Sequence, residues 1–212
     1  LLELTEPEMR RYRGRRMAMV MQDPQTSMNP VFTVGNQVAE PVKIHLKERG
    51  IRAMEKVIEA LRSVRIPSPE DRIKQYPHQF SGGMRQRVVA AMGLVTNPEL
   101  LIADEPTTSL DVTIQAQFLA LLREVQQTYG TSVIWVTHDL GIVAQMCDRV
   151  NVMYAGRIVE SAEVRKIYKT PQHPYTKALL DSVPIMGNRR SSLYQIQGQP
   201  PDLRSIPTGC SF

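Results

Sequence analysis

"LLIADEPTTSLD", residues 100–111, sets an apolar run directly before two adjacent carboxylates, Asp104 and Glu105. Such a run reads as a buried parallel strand delivering acids to the rim of a sheet, where ligands bind in open α/β folds. Pro106 and the run Thr107, Thr108, Ser109 enforce a stiff turn behind the acids. The pair fits two roles: one carboxylate holding Mg²⁺ through water, the next polarising the water that attacks a γ-phosphate. Rim acids that merely cap the next helix would account for the dipeptide but not for so long a turn.

Working outward, "VTIQAQFLALLREVQQTYG" (112–130) has the apolar period of a helix of about five turns closed by Gly130. "SVIWVTHD" (132–139) is a second apolar run that ends in polar residues. Strand, helix, strand is a right-handed crossover that lays the strands parallel, with their carboxyl ends on one edge. Asp104, Glu105 and His138 are therefore expected to converge. A histidine there suits a hydrogen bond to γ-phosphate, although a single His at a strand end is also commonly structural. Upstream, "MAMVM" (17–21) precedes "QDPQTSMNP" (22–30), whose Asp-Pro and Asn-Pro pairs mark an exposed loop opening at Gln22. An amide oxygen at that place can join a magnesium shell.

From Thr33 to Val64 the pattern predicts a helical subdomain, with Ile51, Met54, Val57, Ile58 and Leu61 as one apolar stripe. After the proline-rich connection at 66–80, Ser81, Gly82 and Gly83 open a buried helix that Asn97-Pro98 stops. Bare backbone N–H groups, a hydroxyl and the positive end of a helix bind phosphate, and the same tripeptide also serves as a simple N-cap turn. Arg85 and Arg87 are expected to face solvent or structure. "RVNVMYAGRIVES" (149–161) reads as a hairpin turning at Ala155-Gly156, and the proline- and serine-rich chain from Thr170 as an appendage.

At 212 residues, 42% hydrophobic and 22% charged, the composition is that of a globular protein of one large domain or a domain plus tail. Cys147 and Cys210 lie far apart, which excludes a disulfide framework or zinc site and points to a reducing cytoplasm. No run approaches the roughly 18 apolar residues of a membrane span, and no signal peptide opens the chain. Part of the net charge of +5 sits in "RRYRGRR" (10–16), which reads as solvated surface ahead of a nucleic-acid or lipid patch.

Four separated segments, "MQDP" (21–24), "SGGMRQR" (81–87), "LLIADEPTTSLD" and "VTHD" (136–139), resemble in order and spacing the ATP-binding subunits of ABC transporters. "QYPHQFSGGMRQR", "DVTIQAQ", "VMYAGRIVE" and "HPYTKALL" further resemble the ATPases of the oligopeptide, dipeptide and nickel uptake group. The resemblance implies an α/β P-loop NTPase of the ABC ATPase type, with a parallel sheet core, a helical subdomain and a C-terminal extension. Its parts would be a partial core with the Q-loop (1–32), the helical subdomain and signature helix (33–96), the catalytic core and hairpin (97–168) and the extension (169–212).

By the same resemblance, Gln22 couples nucleotide to the membrane subunits, Asp104 is the Walker B acid, Glu105 the catalytic base and His138 the switch histidine. Ser81, Gly82 and Gly83 would contact the γ-phosphate held by the opposite subunit, and Asp111 would be the D-loop acid. The signature departs from the commonest form at Phe80 and Met84, which this subgroup tolerates. The implied cofactors are ATP and Mg²⁺. The implied partners are membrane permease subunits, a second ATPase in a head-to-tail dimer, commonly a different chain, and an extracytoplasmic binding protein, with no nucleic acid. The implied location is peripheral, on the cytoplasmic face of the cell membrane.

The phosphate loop G-x-x-x-x-G-K-[ST] does not occur in these residues, and Lys169-Thr170 lacks both of its glycines. With Leu1 in first place and an abrupt close at "PTGCSF", truncation at both ends is the expectation, with Cys210 an isolated remnant and little hydrolysis by this stretch alone. Two other functions stay open on sequence: a non-catalytic module that completes a partner's ATP site through Ser81–Gly83, and a soluble ABC ATPase of DNA repair or translation.

Overall fold

The apolar run ahead of Asp104 becomes the middle strand of a three-stranded sheet. The computed structural model describes residues 1–108, 110–183, 195–196, 198–205 and 207–212, so Ser109 of the expected stiff turn lies outside the described residues. Strands β1 (Met17–Val20), β2 (Leu100–Asp104) and β3 (Ser132–Val136) are all parallel, in the order β1-β2-β3. Val20 pairs with Ala103 and Asp104 with Val136, so the three strands end in step on one edge, as the crossover rule requires.

The chain falls into two units, Leu1–His138 and Asp139–Phe212. In the first, α1 (Glu6–Tyr12) precedes β1, and the loop after Gln22 contains one helical turn, α2 (Pro24–Ser27), where only loop was expected. The Thr26 and Ser27 hydroxyls donate to the Asp23 carbonyl and close that turn. The helical subdomain is α3 (Val34–Pro41), α4 (Gly50–Ser63) and α5 (Pro69–Arg72), followed by α6 (Gly82–Leu94) and, between β2 and β3, α7 (Val112–Tyr129). The expected helical stretch from Thr33 to Val64 is thus interrupted. After Pro41 it widens into a π-turn over Val42–Leu46 and breaks at Lys47, whose φ of 61° is left-handed.

The expected apolar stripe of α4 holds except at its start. Val57 and Leu61 are buried together with Ala53 and Ala60, and Met54 packs against them, whereas Ile51 in the first turn is 79% exposed. The core of this unit is built on Phe118 and Leu121 of α7, Leu61 of α4 and Leu101 of β2. Helix α6 lies against one sheet face so closely that a Cβ at Gly93 would sit 3.4 Å from Val20 and 3.5 Å from Leu101. The opposite face keeps Met19, Ile134 and Val136 about half exposed, so β2 alternates in burial where a fully buried run was expected. Helix α7 spans 18 residues, the five turns foreseen, and ends at Gly130 with φ 67°.

The second unit holds α8 (Leu140–Met146), the antiparallel hairpin β4 (Arg149–Tyr154) and β5 (Arg157–Glu163), α9 (Val164–Lys169) and α10 (Pro174–Asp181). The hairpin turns at Ala155 and Gly156, both at positive φ, which is the mirror-image turn that matches strand twist. Tyr154, Tyr175 and Phe212 form an aromatic cluster with ring centres 4.6–5.6 Å apart. Cys210 Sγ lies 3.6 Å from His173 Nε2, and burial raises the Cys147 thiol. Among the described residues no helix is long and apolar enough to cross a membrane.

Phe118 is fully buried between α7 and the sheet core, so Phe118→Ala in the full-length protein is expected to cost about 3–5 kcal/mol. The shift of the urea midpoint at unchanged slope measures this; a loss under about 1 kcal/mol would mean Phe118 is not central to the core.

Candidate functional site

At the carboxyl edge of the sheet the chain does something unusual at Glu105. Its N–H donates to the Val136 carbonyl at 2.8 Å, the bond that completes the Asp104–Val136 pair at the end of the β2–β3 ladder. Its φ is +42°, in the left-handed region that costs a residue with a Cβ roughly 1–3 kcal/mol. The Thr108 N–H donates to the Glu105 carbonyl at 3.3 Å and closes the turn that Pro106 begins.

Three segments meet on the Glu105 carboxylate. His138 Nδ1 lies 2.9 Å from Oε1, Gln22 Nε2 donates to Oε2 at 2.9 Å, and Thr108 Oγ1 donates to the same Oε2 at 3.0 Å. A carboxylate only accepts, so Nδ1 of His138 carries the proton in this pair. The His138 side chain is 74% exposed, and that of Glu105 25%. The expected convergence of Glu105 and His138 is therefore present, and Gln22 joins it. Thr108 was expected only as part of a stiff turn; its one signal as a partner of the site is its place three residues after an acid.

These bonds hold the Glu105 carboxyl below its ordinary value of 4.5, first through His138 and then through Thr108. Because the lowered value favours the charged form in the folded protein, the stabilisation is present above the ordinary value and is lost as pH falls through the lowered one. At neutral pH Glu105 is an ionised proton acceptor.

Asp104 ends β2 opposite Val136 and is partly buried. Asp111 serves the fold: its Oδ1 accepts from the N–H groups of Thr113 at 3.1 Å and Ile114 at 3.0 Å, capping α7. Ser81 caps α6, with Oγ accepting from the Met84 N–H at 3.3 Å. Gly82 and Gly83 differ in what they face. A Cβ on Gly82 would meet nothing within 4 Å, whereas one on Gly83 would lie 2.7 Å from Ile114 Cγ2. Gly83 thus permits α6 and α7 to touch, and Gly82 leaves an open approach to helix-start N–H groups that have no partner within the helix. No hydrogen bond joins Ser81–Gly83 to the Glu105 cluster among the described residues.

Arg85 Nε donates to the Phe80 carbonyl, and Arg87 bridges the Arg65 carbonyl and Gln117, so both serve structure. In the basic run, Arg10 and Arg13 pair with Glu6, Arg16 with Glu99, and Arg15 donates to the Thr96 carbonyl.

The donor set suits a hard divalent cation that keeps most of its water. Gln22 uses its amide nitrogen on Glu105, which leaves its oxygen free of that bond as an oxygen donor for a metal, with the Asp104 carboxylate as the second. Among the described residues no three His, Cys, Asp or Glu side chains are grouped to hold a metal alone, so phosphate oxygens and water would supply the remaining ligands.

The ABC transporter family profile matches residues 2–108, and the profile for the C-terminal region of oligopeptide/dipeptide transporters matches residues 159–212. Over its whole length the chain is 56% identical to a probable peptide ABC transporter ATP-binding protein of Sinorhizobium fredii, of which it spans 64%. It is 53% identical to the dipeptide transport ATP-binding protein DppD of Bacillus subtilis, of which it spans 63%. The fold resembles the dimeric structure of a post-hydrolysis state of an ATP-binding cassette bound to ADP and Pi, with TM-score 0.65, 26% identity, and 77% of this chain and 69% of that one covered.

His138→Ala is expected to return the Glu105 carboxyl toward 4.5, with Thr108 retaining part of the depression. A carboxyl-carbon NMR titration of the full-length protein reads this directly, and an unchanged titration would remove His138 as the main cause.

Proposed function

The chain belongs to the ABC transporter family of ATP-binding proteins, and on that premise we propose that it is the energising part of a peptide importer, hydrolysing ATP to drive a membrane permease. The observation that carries the reading is the Glu105 carboxylate, ionised and held between Gln22 and His138 at the carboxyl edge of a parallel sheet. The names of its relatives, which transport peptides, favour peptides over nickel as the cargo.

In this reading Asp104 and the Gln22 oxygen hold Mg²⁺, which when bound neutralises charge on the phosphates. Glu105 orients the attacking water and accepts its proton as the oxygen bonds to the γ-phosphorus and the bridging bond to ADP breaks. His138 donates a hydrogen bond to the γ-phosphate. Ser81, Gly82 and Gly83 present the start of α6 to ATP on a second subunit, and the open space at Gly82 supports that approach. Asp111, besides capping α7, lies in the D-loop at the dimer contact.

The phosphate loop does not occur in these 212 residues, and in this reading a longer chain of the same protein supplies it. The division into core with Q-loop (1–32), helical subdomain (33–96), catalytic core (97–168) and transporter-type extension (169–212) belongs to the same reading. So do the head-to-tail pairing with a second ATPase, commonly of different sequence, the supply of cargo by an extracytoplasmic binding protein, and the peripheral location on the cytoplasmic face. A second reading, a module that lends only Ser81–Gly83 to a partner's site, draws on the absent phosphate loop. A soluble ATPase of DNA repair or translation rests on the basic run, whose pairings with Glu6, Glu99 and Thr96 supply no such surface.

Glu105→Gln in the full-length subunit is expected to bind ATP with little change while turnover falls by at least about a hundredfold. Steady-state hydrolysis beside nucleotide binding checks it; full turnover in that variant overturns the base assignment, and absence of ATP binding to the unmodified full-length subunit favours the module.

A further inference from the structure

We propose that Thr108 is a positioning residue for the proton-accepting carboxylate: its hydroxyl pins Glu105 Oε2 and so presents Oε1 to the attacking water. The inference rests on the assignment of Glu105 as the base and adds a residue that assignment does not include.

Three donors touch the carboxylate, but they differ in how they are tied to it. Gln22 follows β1 and His138 follows β3, each on its own loop, and each has a second role in the proposed reaction, toward metal or γ-phosphate. A Gln22 amide or His138 ring engaged with the nucleotide competes for the bond it makes to Glu105. Thr108 has no such competing role. It sits three residues from Glu105 in the same turn, fixed by the bond from its own N–H to the Glu105 carbonyl and by the left-handed backbone at Glu105.

A glutamate side chain with only a backbone constraint still has three torsions to fix, and the last of them, which orients the carboxylate, is broad. One short bond from Thr108 Oγ1 to Oε2, at 3.0 Å, fixes that torsion at little cost in entropy, because donor and acceptor belong to one tight turn. Oε2 is held by Thr108 and Gln22, whereas Oε1 has the single bond to the His138 ring. Once that ring turns to the γ-phosphate, Oε1 is the oxygen left to take the proton of the water.

Thr108 is exposed, so replacing it leaves the core intact. In the full-length ATPase assembled with its partner, Thr108→Val removes the hydroxyl at nearly constant shape and Thr108→Ser keeps it. Thr108→Val is expected to lower kcat about tenfold with KM for ATP within about twofold, the loss of one charge-assisted hydrogen bond in the transition state. Thr108→Ser should restore kcat. If Thr108→Val fails to fold, Thr108→Ala replaces it with the same expectations. Unchanged kcat in the variant, while Glu105→Gln is inactive, overturns the role of Thr108 alone. A fall in kcat with a matching rise in KM, or no rescue by serine, equally overturns it in favour of a merely structural part. Full turnover by Glu105→Gln instead overturns the base assignment beneath it.

Discussion

The hydrogen bond from the Glu105 N–H to the Val136 carbonyl is the constraint on which the site depends. It completes the last pair of the ladder, Asp104 with Val136, and so ties Glu105 to β3 by its N–H. The Glu105 backbone turns left-handed at that point, and its carboxylate meets side chains that follow both neighbouring strands. The cost of that backbone is offset within the first unit, by the bonds its carboxylate receives and by the packing of β2 between two partners. The strain falls on the residue proposed as the base, and strained backbone is common where a side chain must be held in a single orientation.

The sheet and the convergence on its edge were legible because the handedness of a crossover leaves one arrangement for strand, helix and strand. The stop at Gly130, the cap at Ser81 and the hairpin turn at Ala155-Gly156 followed from backbone preferences that act within a few residues. What the sequence left unread depends on tertiary placement. The stripe through Ile51 was a fair reading of period, but period does not say which part of a face is covered, and at the start of α4 Ile51 is exposed while Ala53 is buried. Pro41 was visible, yet whether a proline bends, widens or ends a helix is decided by what packs around it. Gln22 and Thr108 reach the same carboxylate oxygen from positions 83 and 3 residues away, a coincidence that no spacing rule describes.

The residues of the signature segment divide their work in a way that the motif alone hides. Gly83 is small because Ile114 occupies the place of its side chain; Gly82 is small with nothing beside it. One glycine answers to packing within the chain and the other to access from outside it. Asp111 shows the complementary economy, since an acid assigned to a subunit contact also satisfies two amides at the start of α7. That cap fixes the first turn of α7, where Ile114 meets Gly83, so the cap and the signature segment are connected through one methyl group.

Gly83 and Gly93 give α6 a mechanical character. They stand near opposite ends of the helix, roughly 15 Å apart at the rise of an α-helix. At the first, α6 is in touch with α7, with no room for an added carbon; at the second it lies against β1 and β2, where an added carbon would already be in contact. Helix α6 is therefore wedged at its start, where α7 leaves no room, and rests in ordinary contact at its other end, beside the strand from which Gln22 departs.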